Sequence, residues 1–332
     1  MEYRNLGQSE LKVSVIGFGG WGIAGGSMWG EQEDKDSIAA LEAALDAGIT
    51  FFDTAEGYGG GYSEEVIGKA LSRKRSACTL ATKVSPGNLG ADALRASCEA
   101  SLKRLRTDYI DLYQIHWPTP PGDPGTVAET LAKLRQEGKI RYAGVSNFGP
   151  SDLAPYPSDL FVSNQLSYSL AFRAIEYELV SASIARGMSV ITYSSLLHGI
   201  LTGKFKGPDE VPPGRARTRH FSSERSGTRH DEPGQEAALF ELVGELERIA
   251  DEIDMTAGEV AMLWVVAQPG VATTLAGCRT REHAERNAAT GAKALPEAIV
   301  ERLTAKSNAL KEALGPNPDM WMTDSRVSWQ TA

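Results

Sequence analysis

Residues 51–59, FFDTAEGYG, place a carboxylate at the end of a short apolar strand and a phenol five residues later in a glycine-rich loop. A polar residue at the end of an apolar run recurs at Lys83 in ATKV, His116 in YQIHWP and Ser146 in GVSN. From Asp53, the intervals are 30, 33 and 30 residues, each the length of one strand and one helix. Because the carboxyl ends of parallel strands meet on one face, this spacing predicts a functional cluster.

The rest of the chain repeats the same unit of a strand followed by a helix. The predicted strands are 13–18, 50–52, 78–82, 109–115, 141–145, 160–163, 189–192 and 271–275. The predicted helices lie around 38–45, 63–73, 94–105 and 127–134, after Pro150, over 176–186, 239–253 and 257–267, and from Thr280. One more helix, 296–314, follows the last repeat. A hairpin-like segment at the N-terminus precedes the first repeat. Eight units favour a single-domain (β/α)8 TIM barrel over residues 1–332, and an open doubly wound sheet is the alternative.

Composition excludes several classes of protein. The 332 residues are 42% hydrophobic and 23% charged with a net charge of −9, which disfavours a disordered chain and general nucleic-acid binding. We find neither a signal peptide nor an apolar run of the roughly 20 residues that span a membrane, so we expect no membrane association. The three distant cysteines indicate a reducing, cytoplasmic compartment, and no histidine spacing suggests a metal site or a metal-dependent hydrolase.

A glycine motif in the first unit invites a different interpretation. Residues 17–22, GFGGWG, match the G-x-G-x-x-G pattern of dinucleotide-binding folds. In those folds the third glycine already lies in a helix, whereas residues 23–30 here are too rich in glycine to form one. We therefore expect a βα loop whose backbone approaches a ligand.

The clustered residues suit the reduction of a carbonyl group. Tyr58 can protonate the developing alkoxide as a general acid, and a nearby Lys83 ammonium should lower the pKa of the phenol. Asp53 can supply the counter-charge that a buried lysine needs. His116 can donate a hydrogen bond that orients the carbonyl.

These motifs resemble those of the aldo-keto reductase family. Further matches are GVSN at 144–147, NQ at 164–165, YSS at 193–195, GILTGK at 199–204 and the stretch 277–287, so the resemblance runs from about residue 6 to 287. It implies NADPH-dependent reduction of a small aldehyde or ketone by the tetrad Asp53, Tyr58, Lys83 and His116. The alternative is a regulatory, weakly catalytic member similar to the potassium-channel beta subunits.

The resemblance also implies an extended NADP(H) molecule across the barrel mouth. Ser146, Asn147 and Gln165 would hold the carboxamide, and Tyr193 would stack on the nicotinamide unless it is a core aromatic. Arg279 would bind the ribose phosphate unless it is merely solvated. The implied cofactor residues are Gly20, Trp21, Asp53, Ser146, Asn147, Gln165, Tyr193, Ser194, Leu196, Gly199, Leu201, Lys204, Gly277, Arg279, His283 and Asn287. Relatives often carry an acidic residue at the position of Arg286, so the adenine contact differs here.

The substrate would lie against Tyr58, His116, Trp21 and Trp117, although both tryptophans could instead be packing residues. Specificity should depend on the loops 23–33 and 118–124 and on the tail 316–332, which would cover the mouth or a neighbouring subunit. The sequence leaves the oligomeric state open, a homo-oligomer included.

The segment 204–229 carries seven basic and three acidic residues, and its prolines and glycines argue against a continuous helix. It is either a solvated surface loop or a lid that clamps the phosphates of the cofactor.

Overall fold

Eight parallel strands close into a barrel in the computed structural model, which describes residues 1–26, 28–118 and 123–329. An antiparallel hairpin, β1 (Tyr3–Asn5) and β2 (Lys12–Ser14), precedes the barrel. The barrel strands are β3 (Ile16–Gly19), β4 (Phe51–Asp53), β5 (Thr79–Val84), β6 (Ile110–Ile115), β7 (Ile140–Ser146), β8 (Phe161–Ser167), β9 (Ser189–Tyr193) and β10 (Val271–Gly277). Because β10 pairs with both β9 and β3, the predicted (β/α)8 TIM barrel is confirmed and the open sheet is excluded.

Ten α-helices occur in the described residues. They are α1 (Asp34–Asp46), α2 (Tyr62–Leu71), α3 (Ala91–Leu105), α4 (Pro124–Gln136), α5 (Pro150–Leu153), α6 (Leu179–Ala185), α7 (Glu236–Glu252), α8 (Ala257–Val266), α9 (Arg281–Thr290) and α10 (Glu297–Leu314). α7 and α8 both lie between β9 and β10, and α10 follows the last repeat as predicted and packs against α7. None of the helices in the described ranges is long and apolar enough to span a bilayer.

The predicted strand 13–18 is wrong in one respect, because the structure divides it at Val15 into β2 and β3. The Ser14 hydroxyl causes the break: it donates to the Ile16 carbonyl at 2.7 Å and accepts from the Thr50 amide at 3.0 Å. These bonds turn the chain from the hairpin into the barrel wall. Leu6 and Leu11 of the hairpin segment then pack with residues of the barrel interior.

The predicted helix 176–186 is also shorter than expected. α6 begins only at Leu179, because the preceding residues form a separate 3-10 turn that ends at Glu176. The Glu176 carboxylate accepts from the Tyr168 hydroxyl at 2.6 Å and from the Arg173 guanidinium at 2.7 Å. These contacts hold the turn against the core and keep it out of the helix.

The barrel brings the strand ends that carry the candidate residues to one face. Asp53 ends β4, Lys83 lies one residue before the end of β5, Ser146 ends β7 and Tyr193 ends β9. In the parallel register, Lys83 is paired with Gln114 and Ser146 with Gln165. The cluster predicted from 30-residue spacing is therefore assembled at the carboxyl end of the barrel, where the active sites of such barrels lie.

Candidate active site

A buried lysine at the centre of the barrel mouth joins Asp53 to Tyr58. The Lys83 ammonium donates to Asp53 Oδ2 at 2.6 Å, to the Thr54 carbonyl at 2.8 Å and to the Tyr58 hydroxyl at 3.2 Å. Lys83 and Asp53 are 0% and 1% exposed, so the pair is almost completely shielded from water. Three hydrogen bonds use all three N–H donors of the ammonium and set its position below the phenol.

The protonation states of this group follow from burial and from the charges nearby. Burial alone would lower the pKa of Lys83, but the Asp53 carboxylate and the Tyr58 phenol outweigh it, and the lysine pKa lies above its ordinary value. Burial raises the pKa of Tyr58 more than Lys83 lowers it. Lys83 does lower the pKa of Tyr58, as predicted, but the pKa still lies above its ordinary value, because desolvation of the phenolate exceeds the attraction of the ammonium. The phenol stays protonated at neutral pH.

His116 lies beside Tyr58 as a neutral imidazole. The two ring centroids are 5.6 Å apart with an edge-on angle of 76°. Burial, with a smaller effect of the Lys83 charge, lowers the pKa of His116 to about 3. A neutral imidazole carries one N–H, which can serve as a hydrogen-bond donor to a carbonyl oxygen.

Two glutamines hold the second oxygen of Asp53. Gln114 Nε2 donates to Asp53 Oδ1 at 3.1 Å, and Gln165 Nε2 donates to the same atom at 2.8 Å. Gln114 is absent from the residues predicted from the sequence. The strand period could have identified it: Gln114 lies in β6 two residues before His116, which directly follows the strand, so the two side chains point to the same side.

The residues predicted to hold a carboxamide form one hydrogen-bonded chain. Asn147 Nδ2 donates to Ser146 Oγ at 3.0 Å and to the His116 carbonyl at 3.2 Å, and the Tyr193 hydroxyl donates to Asn147 Oδ1 at 2.7 Å. Ser146 Oγ in turn donates to the Gln165 carbonyl at 3.1 Å. Asn147 adopts a left-handed backbone, with φ 64°, which asparagine tolerates better than most residues. The structure thus brings Ser146, Asn147, Gln165 and Tyr193 together next to His116.

The loop after Tyr58 is shaped by three glycines and a buried ion pair. Gly59, Gly60 and Gly61 all have positive φ, a conformation that side chains rarely adopt. A Cβ on Gly61 would lie 2.6 Å from the Arg104 side chain, whose Nε donates to the buried Glu64 at 2.6 Å. These contacts fix the exit of the loop against α3.

A ring of aromatic side chains, which we call the aromatic enclosure, surrounds the mouth. It consists of Trp21, Trp29, Trp117, Trp321 and the imidazole of His198, together with the rings of Tyr58 and Tyr193. Neighbouring ring centroids are 6.1 Å apart for Trp21 and Tyr58, 5.4 Å for Trp21 and Trp29, 6.2 Å for Trp29 and His198, 6.4 Å for His198 and Trp321, and 6.3 Å for Trp321 and Trp117. Trp21 is 37% exposed, so it is no core residue. The sequence gives His198 no role, includes Trp321 only as part of the tail 316–332, and makes Trp29 a minor candidate for a wall of the substrate site.

The C-terminal tail supplies Trp321 and crosses the mouth. A bidentate ion pair fixes it: Arg326 Nε and Nη2 lie 2.6 and 3.0 Å from the two oxygens of buried Asp319. The Arg326 guanidinium also lies 3.8 Å from the centroid of the Trp117 ring. The described part of the tail therefore covers the mouth, which is one of the two predicted roles. Parts of three predicted specificity segments lie outside the described residues. They are Ser27 of the loop 23–33, residues 119–122 of the loop 118–124 and residues 330–332 of the tail.

Cations gather around Gly199, the residue that follows His198 of the aromatic enclosure. A Cβ on Gly199 would lie 2.9 Å from Lys204 Nζ and 3.8 Å from an Arg215 nitrogen. Burial and the Arg215 charge lower the pKa of Lys204, and burial and the Arg279 charge lower that of Arg215. In the described part of the chain, neither Lys204 nor Arg215 forms an ion pair with an acidic residue.

Arg279 is bound to the loop 28–33 rather than extended into solvent. Its guanidinium donates to the Trp29 and Glu31 carbonyls, and its Nε donates to Gln32 Oε1 at 2.6 Å. Three of its five N–H donors are therefore engaged, and two remain for a ligand. His283 lies close enough for the Arg279 and Lys204 charges to lower its pKa, after the larger effects of burial and Arg286.

The other predicted cofactor residues differ in how far they are buried. Leu201 is 0% exposed, and Asn287 Nδ2 donates to Cys278 Sγ at 3.0 Å while the residue is 6% exposed. Gly20 has no room for a side chain, because a Cβ would lie 2.7 Å from the Asp53 carbonyl. Ser194 and Leu196 are half-buried in the loop after β9, and Gly277 is exposed at the end of β10. The structure therefore leaves Ser194, Leu196 and Gly277 within reach of a ligand, whereas Leu201 faces the core.

Several basic side chains of the segment 204–229 are engaged in ion pairs with glutamates. Lys206, Arg219 and Arg225 pair with Glu247, Glu232 and Glu236 at 2.6 to 2.7 Å. As predicted, it contains no continuous helix, only a 3-10 turn over Pro208–Glu210. The Arg215 guanidinium lies 5.5 Å from the centroid of the Trp29 ring, which brings the segment across the mouth to the loop 28–33.

Comparisons with known proteins place this site in context. The model of the aldo/keto reductase family matches residues 15–308. An aldo-keto reductase of Bacillus subtilis, YhdN, is 34% identical over 95% of this chain and 97% of its own length. A glycerol dehydrogenase of Gluconobacter oxydans has a similar structure, with a TM-score of 0.77 and 27% identity over 95% of this chain and 97% of its own. A Klebsiella pneumoniae aldo-keto reductase solved with NADPH has a TM-score of 0.72 and 26% identity over the full length of both chains.

Proposed function

This chain belongs to the aldo-keto reductase family, and from that premise we propose that it reduces aldehydes or ketones to alcohols with NADPH and with Tyr58 as the general acid. The observation that carries the proposal is the buried Lys83 ammonium, which contacts both Asp53 Oδ2 and the Tyr58 hydroxyl, at 2.6 and 3.2 Å. A protonated phenol held against an ammonium, next to a neutral imidazole, is suited to give a proton to an oxygen that becomes negative.

The residues around Gly199 suit the phosphates of a dinucleotide. Gly199 has a φ of 90° and no space for a side chain, and Lys204 and Arg215 present cations beside its backbone. The crystallised NADPH complex of the Klebsiella relative supports the same choice of cofactor. Bound NADPH would supply the hydride for the carbonyl carbon.

The amide network suits a carboxamide that needs both donors and acceptors. Gln165 uses its amide hydrogens on Asp53 and Gln114, so it offers an oxygen to the amino group of the carboxamide. Ser146 and Asn147 lie beside it at the same strand ends. We assign Tyr193 to the face of the nicotinamide ring and Arg279 to the ribose phosphate, for which its two remaining N–H donors are available.

In the reaction, the substrate carbonyl oxygen lies between Tyr58 and His116. The neutral His116 donates a hydrogen bond that orients the oxygen, and the Tyr58 hydroxyl gives its proton as the carbon is reduced. The Lys83 ammonium stabilises the phenolate that is left, and Asp53 with its two glutamines keeps Lys83 charged and in place. Trp21 and Trp117 flank this position as walls of the substrate site.

The test is a panel of aliphatic, aromatic and hydroxylated carbonyl compounds, with NADPH consumption followed at 340 nm. The proposal expects multiple turnovers with at least one class of reactive aldehyde. A regulatory, weakly catalytic protein similar to the channel beta subunits would bind NADPH and oxidise it very slowly with every compound of the panel. Binding without repeated turnover across the panel would therefore favour that alternative.

A further inference from the structure

The two oxygens of the Asp53 carboxylate bind different kinds of donor. Oδ2 accepts from the Lys83 ammonium at 2.6 Å, whereas Oδ1 accepts from Gln114 Nε2 at 3.1 Å and from Gln165 Nε2 at 2.8 Å. All four residues are between 0% and 3% exposed, so these groups interact with one another and not with water. A cation therefore holds one oxygen of the carboxylate, and two uncharged amides hold the other.

Gln114 differs from Gln165 in having no group left for a bound molecule. It is 1% exposed, and its Oε1 lies 3.5 Å from Gln165 Nε2, at the outer limit of a hydrogen bond. Gln114 is the register partner of Lys83, and because β5 separates β4 from β6, its bond to Asp53 joins two strands that do not pair. Gln114 can therefore act on the reaction only through Asp53.

Asp53 acts on the proton donor in two opposite ways. It holds Lys83, whose ammonium lies 3.2 Å from the Tyr58 hydroxyl. Burial is the main cause of the raised pKa of Tyr58; of the two charges, that of Lys83 lowers this pKa and that of Asp53 raises it. The carboxylate thus places the cation that favours the phenolate, and its own negative charge disfavours the same phenolate.

An amide at Oδ1 offsets the second effect and preserves the first. Its N–H brings a partial positive charge to the carboxylate but no net charge, and it leaves the contact between Oδ2 and Lys83 in place. Hydrogen bonds to an ionised acceptor are roughly twice as strong as those between neutral groups, and a buried site screens them little. The two donors at Oδ1 therefore reduce the negative charge that Asp53 presents to Tyr58.

The remaining titratable groups that face the phenol are neutral. Besides Lys83 from β5 and Asp53 from β4, they are His116 after β6 and Tyr193 from β9. Burial lowers the pKa of His116 to about 3 and raises that of Tyr193 well above its ordinary value. The charges that act most strongly on Tyr58 are those of Lys83 and Asp53.

We propose that Gln114 is a positioning residue for the proton donor: its hydrogen bond to Asp53 Oδ1 offsets the charge of the carboxylate, so that Lys83 stabilises the Tyr58 phenolate more strongly. The proposal rests on the proposed reductase function, in which Tyr58 is the general acid. Gln165 shares this task, but its oxygen is also assigned to the cofactor. Gln114 is therefore the residue that isolates the effect.

The first measurement follows the phenol itself and needs no turnover. The protein is labelled with 3-fluorotyrosine, whose fluorine reports ionisation of the phenol in 19F NMR spectra, and Tyr58→Phe identifies the signal of Tyr58. Gln114→Met keeps the length of the side chain and removes the donor. The pH at which the Tyr58 signal is half titrated should therefore rise by at least about half a unit.

Ser163→Ala is the matched control inside the barrel. A Cβ on Gly144 would lie 2.7 Å from Ser163 Oγ and 3.2 Å from Gln114 Cγ, so the two side chains are neighbours. Ser163 is 0% exposed, and its hydroxyl has no hydrogen-bond partner among the described residues. The variant changes the same part of the core without touching Asp53, and the titration of Tyr58 should not move.

The second measurement uses NADPH and an aldehyde that the wild type reduces. Gln114→Met should lower kcat about tenfold and leave KM for the aldehyde and Kd for NADPH within about twofold, because Gln114 reaches neither molecule. Gln114→Glu is the conservative variant. Two buried carboxyl groups in contact do not both ionise, so near pH 6 the introduced group shares a proton with Asp53 and donates as the amide does.

The kcat of Gln114→Glu, relative to the wild type, should thus be highest near pH 6 and fall towards about pH 9, as the second carboxyl loses its proton. The same ratio for Gln114→Met should stay constant over this range. A role in packing alone would move neither the titration of Tyr58 nor this ratio.

The outcomes separate the proposal from the reaction. An unshifted Tyr58 titration in Gln114→Met, or an unchanged kcat where the wild type turns over, would overturn it. A loss of kcat that Ser163→Ala shares would assign the effect to packing and overturn it equally. A shifted titration in a protein without turnover would support the positioning role and count against the reductase function. If Gln114→Met does not fold, Gln114→Glu decides: a kcat ratio that is constant with pH would overturn the proposal.

Discussion

The indole of Trp321 lies parallel to the phenol ring of Tyr193, with an interplanar angle of 7° and 6.1 Å between the centroids. The tail thus supplies a flat apolar surface next to the ring that we assign to the nicotinamide. Trp321 also meets Trp117 and His198, which makes it the residue that joins the two sides of the aromatic enclosure.

We expect Trp321→Ala to raise KM for aromatic aldehydes about tenfold and to change kcat little, because the indole binds the substrate body and touches no reacting atom. Steady-state kinetics with NADPH measure both constants. Trp329→Ala is the control, since among the described residues Trp329 forms no ring contact with the enclosure. An unchanged KM in Trp321→Ala would exclude the indole from the substrate site.

Tyr58→Phe should lower kcat at least about a hundredfold, because it removes the proton donor and keeps the ring. NADPH should still bind, which a fluorescence titration measures. Tyr62→Phe is the matched control: the Tyr62 hydroxyl binds Asp34 at the surface, away from Lys83. If Tyr58→Phe kept more than about a tenth of the wild-type kcat, the general acid would be another group.

Arg279→Ala should weaken NADPH binding about tenfold or more and leave NADH binding nearly unchanged, since only NADPH carries the ribose phosphate dianion. The variant also loses contacts to the loop 28–33, so Gln32→Ala is needed as a control that loosens the same loop. Gln32→Ala should affect both cofactors alike. Equal losses of NADPH and NADH affinity in Arg279→Ala would refute the phosphate contact.

Trypsin should cleave after Lys204 or Arg215 more slowly when NADPH is present, because an anion bound between these cations would order the segment 204–229. Cofactor affinity should also fall as the salt concentration rises. Adenosine, which has no phosphate, serves as the control and should not protect. Cleavage at an unchanged rate with saturating NADPH would show that this segment is no lid.

The protein should lose stability as the pH falls from 6.5 to about 4, because two buried histidines stay neutral in the folded state. Burial lowers the pKa of both His198 and His220 to about 4, and the two residues are 6% and 0% exposed. Below pH 6.5 these two histidines bind protons in the unfolded chain, whereas in the folded protein they stay neutral down to about pH 4. The free energy of unfolding therefore decreases as the pH falls through this range. The loss at pH 5 is about 2 kcal/mol for each of the two.

Urea unfolding at pH 7 and pH 5 checks this expectation. His220→Asn should reduce the pH dependence by about the share of one histidine. A free energy of unfolding that is the same at both pH values would contradict the shifted pKa values.

The strand ends of the site were predictable from the sequence, because polar residues follow apolar runs at intervals of one strand and one helix. Asp53, Lys83, His116 and Ser146 recur at one-unit intervals, and parallel strands must bring such residues to the same edge. The eight strands follow from short apolar runs between helices for the same reason. The break at Val15 did not follow, since the turn depends on Ser14 binding Thr50, a residue far along the chain.

The tertiary structure alone decided which side chains complete the site and in which protonation state. The pairing of Gln114 with Asp53, the pKa of Tyr58 and the occupied donors of Arg279 depend on distances and on burial, which no local pattern encodes. Trp321 stands more than 200 residues from His116 in the sequence, and only the path of the tail over the barrel brings it to the mouth. Periodicity is a local property that the sequence determines, whereas desolvation and long-range contacts arise only once the chain has closed on itself.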